Sequence, residues 1–434
     1  MDSDVDLVFR NAHLESAPDA IDLAIDGGRI VALESAFSGH GSQEVDARGL
    51  MASPPFIDAH HHLDCAFLSE PPNRSGTLDE AIRIHAGLKA GRSATEILRN
   101  ACLALDQALL AGTAWIRCHG DVDAVCGLRL MHPVLEARDR YRGLVDVQFV
   151  AFPQLGLARD PRSADILRAA MREGADLVGG MPHGEASHED AARHIDIAFE
   201  IAEEFDADID MHIDETDDPA SRTLELLAEA TLREGYQGRV TASHCCALAG
   251  YEEAYAHRVI EKVAEAGIHV VTNPMTNLCL QGRRDRPPVR RGITRVKDLL
   301  AAGVNVACGL DDVSNMFLPF GRMDMLEVAL LTSMTAHLTT PEEIRTVFDM
   351  PRCHAARALG LPAYGLEVGA PADLVFLEAS DARDAMRRQP PRRYVLRRGR
   401  LVAETRLDTR LDLDPASSPR LASRRASPGR GLAQ

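Results

Sequence analysis

Three consecutive histidines, His60, His61 and His62, follow a short apolar run in the stretch FIDAHHHLD. Side chains two residues apart on a strand point to the same side, so His60 and His62 can reach one point while His61 points away. Neutral imidazoles are common ligands of Zn²⁺ and Fe²⁺. A histidine triplet alone does not establish a metal site, because other residues must complete the coordination shell.

Further ligand-type side chains lie near the ends of other apolar runs: His212 in DIDMHIDE, His244 in RVTASH and Asp311 in NVACGLDD. Three histidines and one aspartate can hold a divalent ion and leave a position open for water. Such an ion lowers the pKa of bound water to about 7, so that hydroxide is available near neutral pH. Taken singly, each of these residues is more often structural, but their joint placement favours a metal centre.

A candidate proton carrier, Glu215, follows His212 by three residues. It is placed to accept a proton from water and to deliver it to a leaving group. Polar side chains at the ends of other runs are predicted to line the substrate pocket, and they are Gln154, His183, Asn273 and Asp312. For His183, as for His119 and Asp121, hydrogen bonding to neighbouring loops is an equally simple explanation.

Eight short apolar runs, which would position these residues, alternate with longer segments whose apolar residues have helical spacing. The runs are PPFIDAHHH, AWIRCHGD, VDVQFVAFPQ, DLVGGMPH, DIDMHIDE, RVTASH, HVVTNP and NVACGLDD. Eight strand-then-helix units predict an α/β fold, a (β/α)₈ TIM-like barrel over residues 53–362. In this fold the chemistry lies at the C-terminal ends of the strands, where nearly every run here has a His, Asp, Gln, Asn or Glu.

The two ends of the chain resemble each other. Short β-type runs broken by glycine turns occur in DLVFRNAHL and IDLAIDGGRIVAL near the start and in ADLVFLEA and RYVLRRGRLVAE near the end. This pattern predicts a small β-sandwich domain built from residues 1–52 and 363–410. The Pro-, Ser- and Arg-rich stretch at residues 414–434 is predicted to be a disordered tail.

Charge and composition exclude several function classes. The chain of 434 residues has 48 Lys and Arg against 65 Asp and Glu, a net charge of -17 that repels phosphate backbones, so nucleic-acid binding is not expected. The sequence contains no run of about 18 apolar residues, so a membrane span is not expected. The acidic N-terminus lacks the features of a secretory signal. Nine irregularly spaced cysteines without a C-x-x-C pair favour free thiols and a cytoplasmic location. The sequence has neither a P-loop nor a Gly-x-Gly-x-x-Gly motif at a helix start, so a nucleotide cofactor is not expected.

With these motifs in place, the chain resembles the amidohydrolase superfamily and is similar to bacterial cytosine deaminases from about residue 5 to residue 404. The stretches that carry the resemblance are AHHHLD, AFPQLG, MHIDETDDPASR, VTASH, NLCLQGR, RRGITRVKDLL and GLDDV. The resemblance implies one divalent metal ion, Zn²⁺ or Fe²⁺, and four ligands: His60, His62, His212 and Asp311. Relatives with this scaffold are commonly homo-oligomers, so a homo-oligomer is expected.

The resemblance also implies roles around the metal. Glu215 corresponds to the proton shuttle, and His244 to the residue that orients or polarises the attacking water. Gln154 matches the contact to the carbonyl of the base, and Asp312 matches a residue that faces the substrate. The small β-sandwich of the family agrees with the pattern at the chain ends.

One wall of the pocket departs from the cytosine deaminases. They usually carry His-Asp-Asp followed shortly by Asp-Pro-Trp, whereas this chain has Leu310-Asp311-Asp312 and then Asn315-Met316-Phe317. Phe317, in this altered wall, is predicted to contact the substrate. The reaction class is better determined than the substrate, because these changes leave the metal ligands intact.

Three hypotheses follow. The first is hydrolytic deamination of a cytosine-like pyrimidine or related amino-substituted N-heterocycle, with release of ammonia. The alternative is hydrolysis of another C–N bond, as in an alkylamino-triazine such as N-isopropylammelide, in creatinine or in a cyclic amide, and the altered wall motivates it. The third is a non-catalytic protein that binds a small heterocycle, which would require a broken catalytic set, whereas the set here is complete.

Overall fold

The computed structural model describes residues 4–15, 19–287 and 289–410. The tail predicted at residues 414–434 lies outside the described residues. The chain divides into two compact units, one formed by the ends up to Pro55 and from Ala363 onward, the other by Phe56–Pro362. The sequence interpretation placed the first boundary three residues earlier, after residue 52.

The described residues form sixteen strands and thirteen α-helices. The strands are β1 (Val5–Leu14), β2 (Ile21–Asp26), β3 (Arg29–Glu34), β4 (Gly41–Asp46), β5 (Met51–Ser53), β6 (Phe56–His61), β7 (Thr113–Asp121), β8 (Asp146–Phe152), β9 (Leu177–Gly180), β10 (Asp208–Ile213), β11 (Val240–His244), β12 (His269–Thr272), β13 (Val306–Cys308), β14 (Leu374–Leu377), β15 (Arg392–Arg397) and β16 (Arg400–Glu404). The helices are α1 (Leu78–Lys89), α2 (Ala94–Leu110), α3 (Met131–Tyr141), α4 (Pro161–Arg172), α5 (His188–Phe205), α6 (Thr223–Glu234), α7 (Glu253–Glu265), α8 (Pro274–Leu280), α9 (Val296–Ala301), α10 (Met325–Thr335), α11 (Pro341–Asp349), α12 (Ala355–Ala358) and α13 (Ala382–Arg388).

The larger unit is a barrel of parallel strands. Each strand from β6 to β13 pairs with the next along the chain, and at least one α-helix lies between every two consecutive strands. Main-chain bonds close the barrel, because the Asp311 N–H donates to the His60 carbonyl at 2.8 Å and the His62 N–H donates to the Asp311 carbonyl at 2.9 Å. The predicted (β/α)₈ barrel is confirmed.

Helix α5 illustrates how local sequence forms one strand–helix unit. The Ser187 side chain accepts a hydrogen bond from the Asp190 N–H and so caps the first turn. The helix ends at Asp206, whose φ of 49° is left-handed, and the chain then enters β10. Apolar residues at helical spacing are buried along one side of the helix, among them Ala191, Ile195, Ala198 and Ala202.

The smaller unit combines both chain ends, as predicted. Strand β1 pairs in parallel with β4 along its first half and with β5 at its last two residues, and β14 joins β5 antiparallel. Side chains from both ends share one apolar core, in which the Phe9 and Phe376 rings stack with centroids 4.2 Å apart. The sheet therefore folds around a core that neither end of the chain could fill alone.

In the part of the chain that the structure describes, none of the helices combines the length and apolar character that crossing a membrane requires.

Candidate metal centre and active site

Four predicted ligands converge at the C-terminal mouth of the barrel. His60 lies in β6 with His62 directly after it, His212 lies in β10, and Asp311 follows β13. The His62 and His212 Nε2 atoms are 3.1 Å apart, and Asp311 Oδ1 is 3.4 Å from Nε2 of both His60 and His62. One ligand atom from each of the four lies within 4.8 Å of the others, which is the spacing of a single cation site.

The chemistry of these donors fits a divalent ion. Nε2 of His60 is buried and has no hydrogen-bond partner among the described residues, although an unpaired buried nitrogen is costly. Burial lowers the pKa of His60 and of His212 well below the usual value, so both rings are neutral, which is the form that binds metal. Burial lowers the pKa of His62 as well, but Asp312 and Asp311 outweigh it and raise the pKa overall, so a metal ion would have to displace a proton from this ring. Three imidazoles and one carboxylate suit zinc or iron(II).

A chain of buried polar groups orients His60. Its Nδ1 lies 2.9 Å from the Ser243 hydroxyl, which donates to Asp210 Oδ1 at 3.0 Å. Arg117 in turn donates to the other Asp210 oxygen at 2.9 Å. Because the serine hydroxyl gives its hydrogen to Asp210, it accepts the hydrogen of His60 Nδ1. This tautomer leaves the Nε2 lone pair free for a metal ion.

The Ser243→Ala variant should therefore bind metal about 10- to 100-fold more weakly than the wild type, because the His60 ring loses the group that fixes its tautomer and orientation. Competition with a coloured chelator measures this affinity. Ser333→Ala is a matched control, since Ser333 is also buried but donates to the Leu338 carbonyl at 2.7 Å, with no part in this chain of groups. Equal metal affinity in the two variants would contradict the assigned role.

Glu215 lies just past β10 and is 5% exposed. Its Oε1 is 3.5 Å from His244 Nδ1 and accepts a hydrogen bond from the Asn277 amide at 3.4 Å. Burial, with Asp311 and Asp312 nearby, raises the pKa of Glu215 well above the usual value. A carboxyl group of this kind takes up a proton readily and holds it next to the metal ligands.

His244 ends β11 and is held by two amides. The Asn273 amide nitrogen lies 3.3 and 3.4 Å from the two ring nitrogens, and the Asn277 amide nitrogen lies 3.1 Å from Nδ1. His244 Nδ1 is also 4.0 Å from Asp311 Oδ2. The ring is thus fixed between the proposed proton carrier and one of the proposed ligands.

The backbone at the strand ends takes up unusual conformations. His244 has φ 71° and Asp311 has φ 75°, both in the left-handed region that non-glycine residues rarely occupy. Gly309 allows the chain to pass close to His60, because a Cβ there would lie 2.7 Å from the Cβ of His60. Such conformations persist only where the surrounding structure imposes them, and they concentrate at functional sites.

A pocket opens beside the ligand group. It is lined by His62, Cys65, Leu78, Ile82, His85, Phe152, Gln154, Met181, His212, Glu215, Thr276, Asp311, Asp312 and Phe317. Oε1 of Gln154 is buried there without a hydrogen-bond partner among the described residues. Asp312 accepts a hydrogen bond from the Asn315 amide at 2.5 Å, and burial together with Asp311 raises its pKa to about 7. The structure therefore places Gln154, Asp312 and Phe317 on the wall of this pocket.

Two predicted substrate contacts lie elsewhere. His183 lines a neighbouring cavity together with Met181 and Glu215, and burial lowers its pKa to about 4. Asn273 is fully buried and its amide faces the His244 ring. The structure thus brings Asn273 next to the proposed catalytic groups and His183 to the adjacent cavity.

Several residues at the site were not predicted. Asp210 and Arg117 support His60 from the middle of strands. The ring of His119, which the sequence analysis left open between a site role and hydrogen bonding to loops, stacks on His60 with centroids 4.0 Å apart. A signal was present, because Asp210 precedes His212 by two residues and Arg117 precedes His119 by two, which places each pair on one side of its strand. Asn277 lies on a helix, so the pattern of polar residues at strand ends could not identify it.

The fold and this arrangement of groups are those of a barrel hydrolase that works with a divalent ion. The family model described as the amidohydrolase family matches residues 43–403, and the chain belongs to this family. Enzymes of the family use a divalent metal, and His60, His62, His212 and Asp311 form a ligand group suited to one. The predicted membership of the amidohydrolase superfamily is confirmed.

Individual relatives cover nearly the whole chain. N-isopropylammelide isopropyl amidohydrolase of Pseudomonas sp. (strain ADP) is 34% identical over 413 residues, which are 93% of this chain and 98% of that protein. Pterin deaminase of Rhizobium rhizogenes is 34% identical over 372 residues, 85% of this chain and 84% of that protein. The crystal structure of 5-methylcytosine deaminase from Klebsiella pneumoniae liganded with 5-fluorocytosine is 32% identical, covers 94% of this chain and 100% of that chain, and has a TM-score of 0.90. The predicted class, a hydrolase acting on non-peptide C–N bonds, is confirmed.

Proposed function

We propose that the protein hydrolyses the exocyclic C–N bond of an amino-substituted N-heterocycle, with cytosine-like pyrimidines as the first candidate substrates. One observation carries the proposal. Glu215, a buried carboxyl group with a raised pKa, lies in the same pocket as Gln154 and as three of the four proposed ligands, His62, His212 and Asp311. A ring held by Gln154 would therefore have both the ligand group and a proton carrier within reach.

The proposed ligands are His60, His62, His212 and Asp311, for one ion of Zn²⁺ or Fe²⁺. An ion bound there supplies Lewis acidity and lowers the pKa of a water molecule to about 7. The convergence of all four side chains on one point supports a single ion.

The remaining steps belong to side chains of the chain itself. Gln154 orients the ring, since its carboxamide can donate to a ring carbonyl. Glu215 takes up a proton from water, holds it because its pKa is raised, and passes it to the ring nitrogen next to the reacting carbon. His244 lies between Glu215 and Asp311 and orients the attacking water. Asp311 or Glu215 then passes the second proton of the water to the amino group, the C–N bond breaks, ammonia leaves and a carbonyl remains at the reacting carbon.

A second candidate substrate class is favoured by the apolar part of the pocket. Leu78, Ile82, Met181 and Phe317 are among its lining residues. Apolar side chains of this kind can accommodate an alkyl group on the leaving nitrogen, as in an alkylamino-triazine. The relative from Pseudomonas, whose name specifies N-isopropylammelide, supports the same alternative.

A substrate panel tests the proposal. Protein loaded with Zn²⁺ or with Fe²⁺ is incubated with cytosine, 5-methylcytosine, isocytosine, isoguanine, creatinine, pterin and N-isopropylammelide. We expect release of ammonia or of isopropylamine from at least one ring, and the identity of that ring decides between the two substrate classes. The metal-free protein is the control. Failure to release any amine from the panel at full metal occupancy would overturn the proposal.

Two further expectations accompany the proposal. A homo-oligomer and a cytoplasmic location both stay predictions, and sedimentation analysis of the full chain tests the first.

A further inference from the structure

His85, which the sequence analysis did not predict as a site residue, lies on the pocket wall. His85 is on α1, whose residues Leu78, Ile82 and His85 recur at helical spacing and all line the pocket beside the proposed ligands. The side chain is almost completely buried, with 2% of the residue exposed. Its ring meets the Phe317 ring edge-on, with centroids 6.0 Å apart. The mechanism proposed above gives it no task.

The surroundings of His85 exclude a second metal ion. His85, Asp64 and Asp121 are close enough together to hold a cation. However, the Lys89 ammonium group already donates to Asp121 Oδ2 at 2.7 Å and to Asp123 Oδ2 at 2.5 Å. This buried ammonium supplies the positive charge that the carboxylates require, so an additional divalent ion would meet electrostatic repulsion.

The same contacts determine which nitrogen of the imidazole carries the hydrogen and which keeps its lone pair. His85 Nδ1 lies 3.5 Å from Asp121 Oδ2, an oxygen that already accepts from Lys89. Because this oxygen is an acceptor, the stable tautomer carries its hydrogen on Nδ1, and Nε2 keeps its lone pair. Burial lowers the pKa of His85 to about 4, so the ring is neutral near pH 7.

The imidazole is left without a partner. Neither ring nitrogen of His85 has a hydrogen-bond partner among the described residues. A buried polar atom that stays unpaired is destabilising, and such atoms are usually satisfied by water or by a ligand. A ligand in this pocket with an N–H group would satisfy Nε2.

We propose that His85 Nε2 accepts a hydrogen bond from an N–H group of the heterocyclic substrate and thereby selects among rings. This inference rests on the proposed function. Gln154 would then bind a carbonyl group of the ring, and His85 would bind an N–H group of the same ring. A ring whose N–H is replaced by N–CH₃ would lose the contact and bring a methyl group against the imidazole. His85 is thus a specificity-determining residue for the same reaction.

The experiment compares cytosine with 1-methylcytosine in three fully metallated proteins: the wild type, His85→Phe and His85→Gln. If another ring on the panel is the better substrate, that ring and its N-methyl derivative replace the pair. His85→Phe keeps a flat ring but removes the acceptor, so KM should rise about tenfold or more while kcat changes less. Discrimination against the methylated ring should shrink in the same variant. His85→Gln, whose amide oxygen can accept, should recover part of both.

The controls distinguish a failure of the inference about His85 from a failure of the proposed function. His132→Phe makes the same change at an exposed position and should leave all parameters unchanged. Calorimetry measures binding of the ring to His85 variants without turnover.

If the wild type turns over a ring but His85→Phe has the same KM and the same discrimination, the inference about His85 is wrong and the proposed function stands. If the wild type neither turns over nor binds any ring, the proposed function fails and the inference with it. Should His85→Phe not fold, equal kcat/KM of wild type for the N–H and N–CH₃ rings would overturn the inference.

Discussion

We expect the Glu215→Gln variant to lose about 10²- to 10⁴-fold in kcat while it keeps its full metal content. Glutamine has nearly the same shape as glutamate, but its amide can neither take up a proton from water nor deliver one to the ring. The change affects proton transfer and leaves the four proposed ligands untouched. KM should therefore change much less than kcat.

The prediction is measured by steady-state kinetics on the best substrate of the panel, with metal content determined on the same samples. Glu225→Gln is the matched control, because Glu225 lies on the neighbouring helix α6, where it accepts from Lys262 and Tyr255 instead of facing the pocket. That variant should retain normal turnover. A fully metallated Glu215→Gln protein with the kcat of the wild type would remove Glu215 from the mechanism.

The second large effect is expected from removal of the metal. Protein treated with a strong chelator should lose all measurable turnover, and reloading with the native ion should restore it. The barrel should also unfold at a lower temperature, since a ligand that binds only the folded state stabilises it by roughly 4 kcal/mol at a thousandfold excess over its dissociation constant.

A ligand variant supports the same prediction. His212→Ala should lose most of the bound metal and all activity, because it removes one of four donors to the ion. His257→Ala changes an exposed histidine on α7 and should match the wild type in metal content and in unfolding temperature. Reloading the wild type separately with Zn²⁺ and Fe²⁺ then identifies the ion that gives the higher kcat. Full activity in protein shown to be free of metal would contradict the proposed chemistry.

Much of the site was predictable because its residues lie at strand ends. His60, His212, His244 and Asp311 each terminate or follow a short apolar run, and all parallel strands of a barrel end at the same face. The polar residue at the end of each apolar run and the rule that barrel strands end at one face were therefore enough to predict that residues far apart in the chain lie close together. The barrel itself was predictable for the same reason, because eight apolar runs alternate with segments of helical spacing.

Other parts required the three-dimensional structure. The helical spacing of Leu78, Ile82 and His85 shows that they share a side of α1, but no sequence pattern tells which cavity that side covers. Asn315 could not be assigned either, because its contact to Asp312 depends on the path of an irregular loop. In the smaller unit, β1 pairs in parallel with two different strands, and local turn signals contain no information on such long-range pairing.

The main-chain bonds between β6 and Asp311, which close the barrel, have a consequence for how the protein acquires its metal. The Leu310 N–H donates to the Asp58 side chain, a pair separated by 252 positions, and the proposed ligands His60 and Asp311 lie directly beside it. A ribosome adds about 5–20 residues per second, so the first histidines leave the exit tunnel many seconds before the aspartate does. During that interval the nascent chain exposes a His-rich segment without its carboxylate. The complete set of four proposed ligands can therefore come together only after the last strand of the barrel has been synthesised.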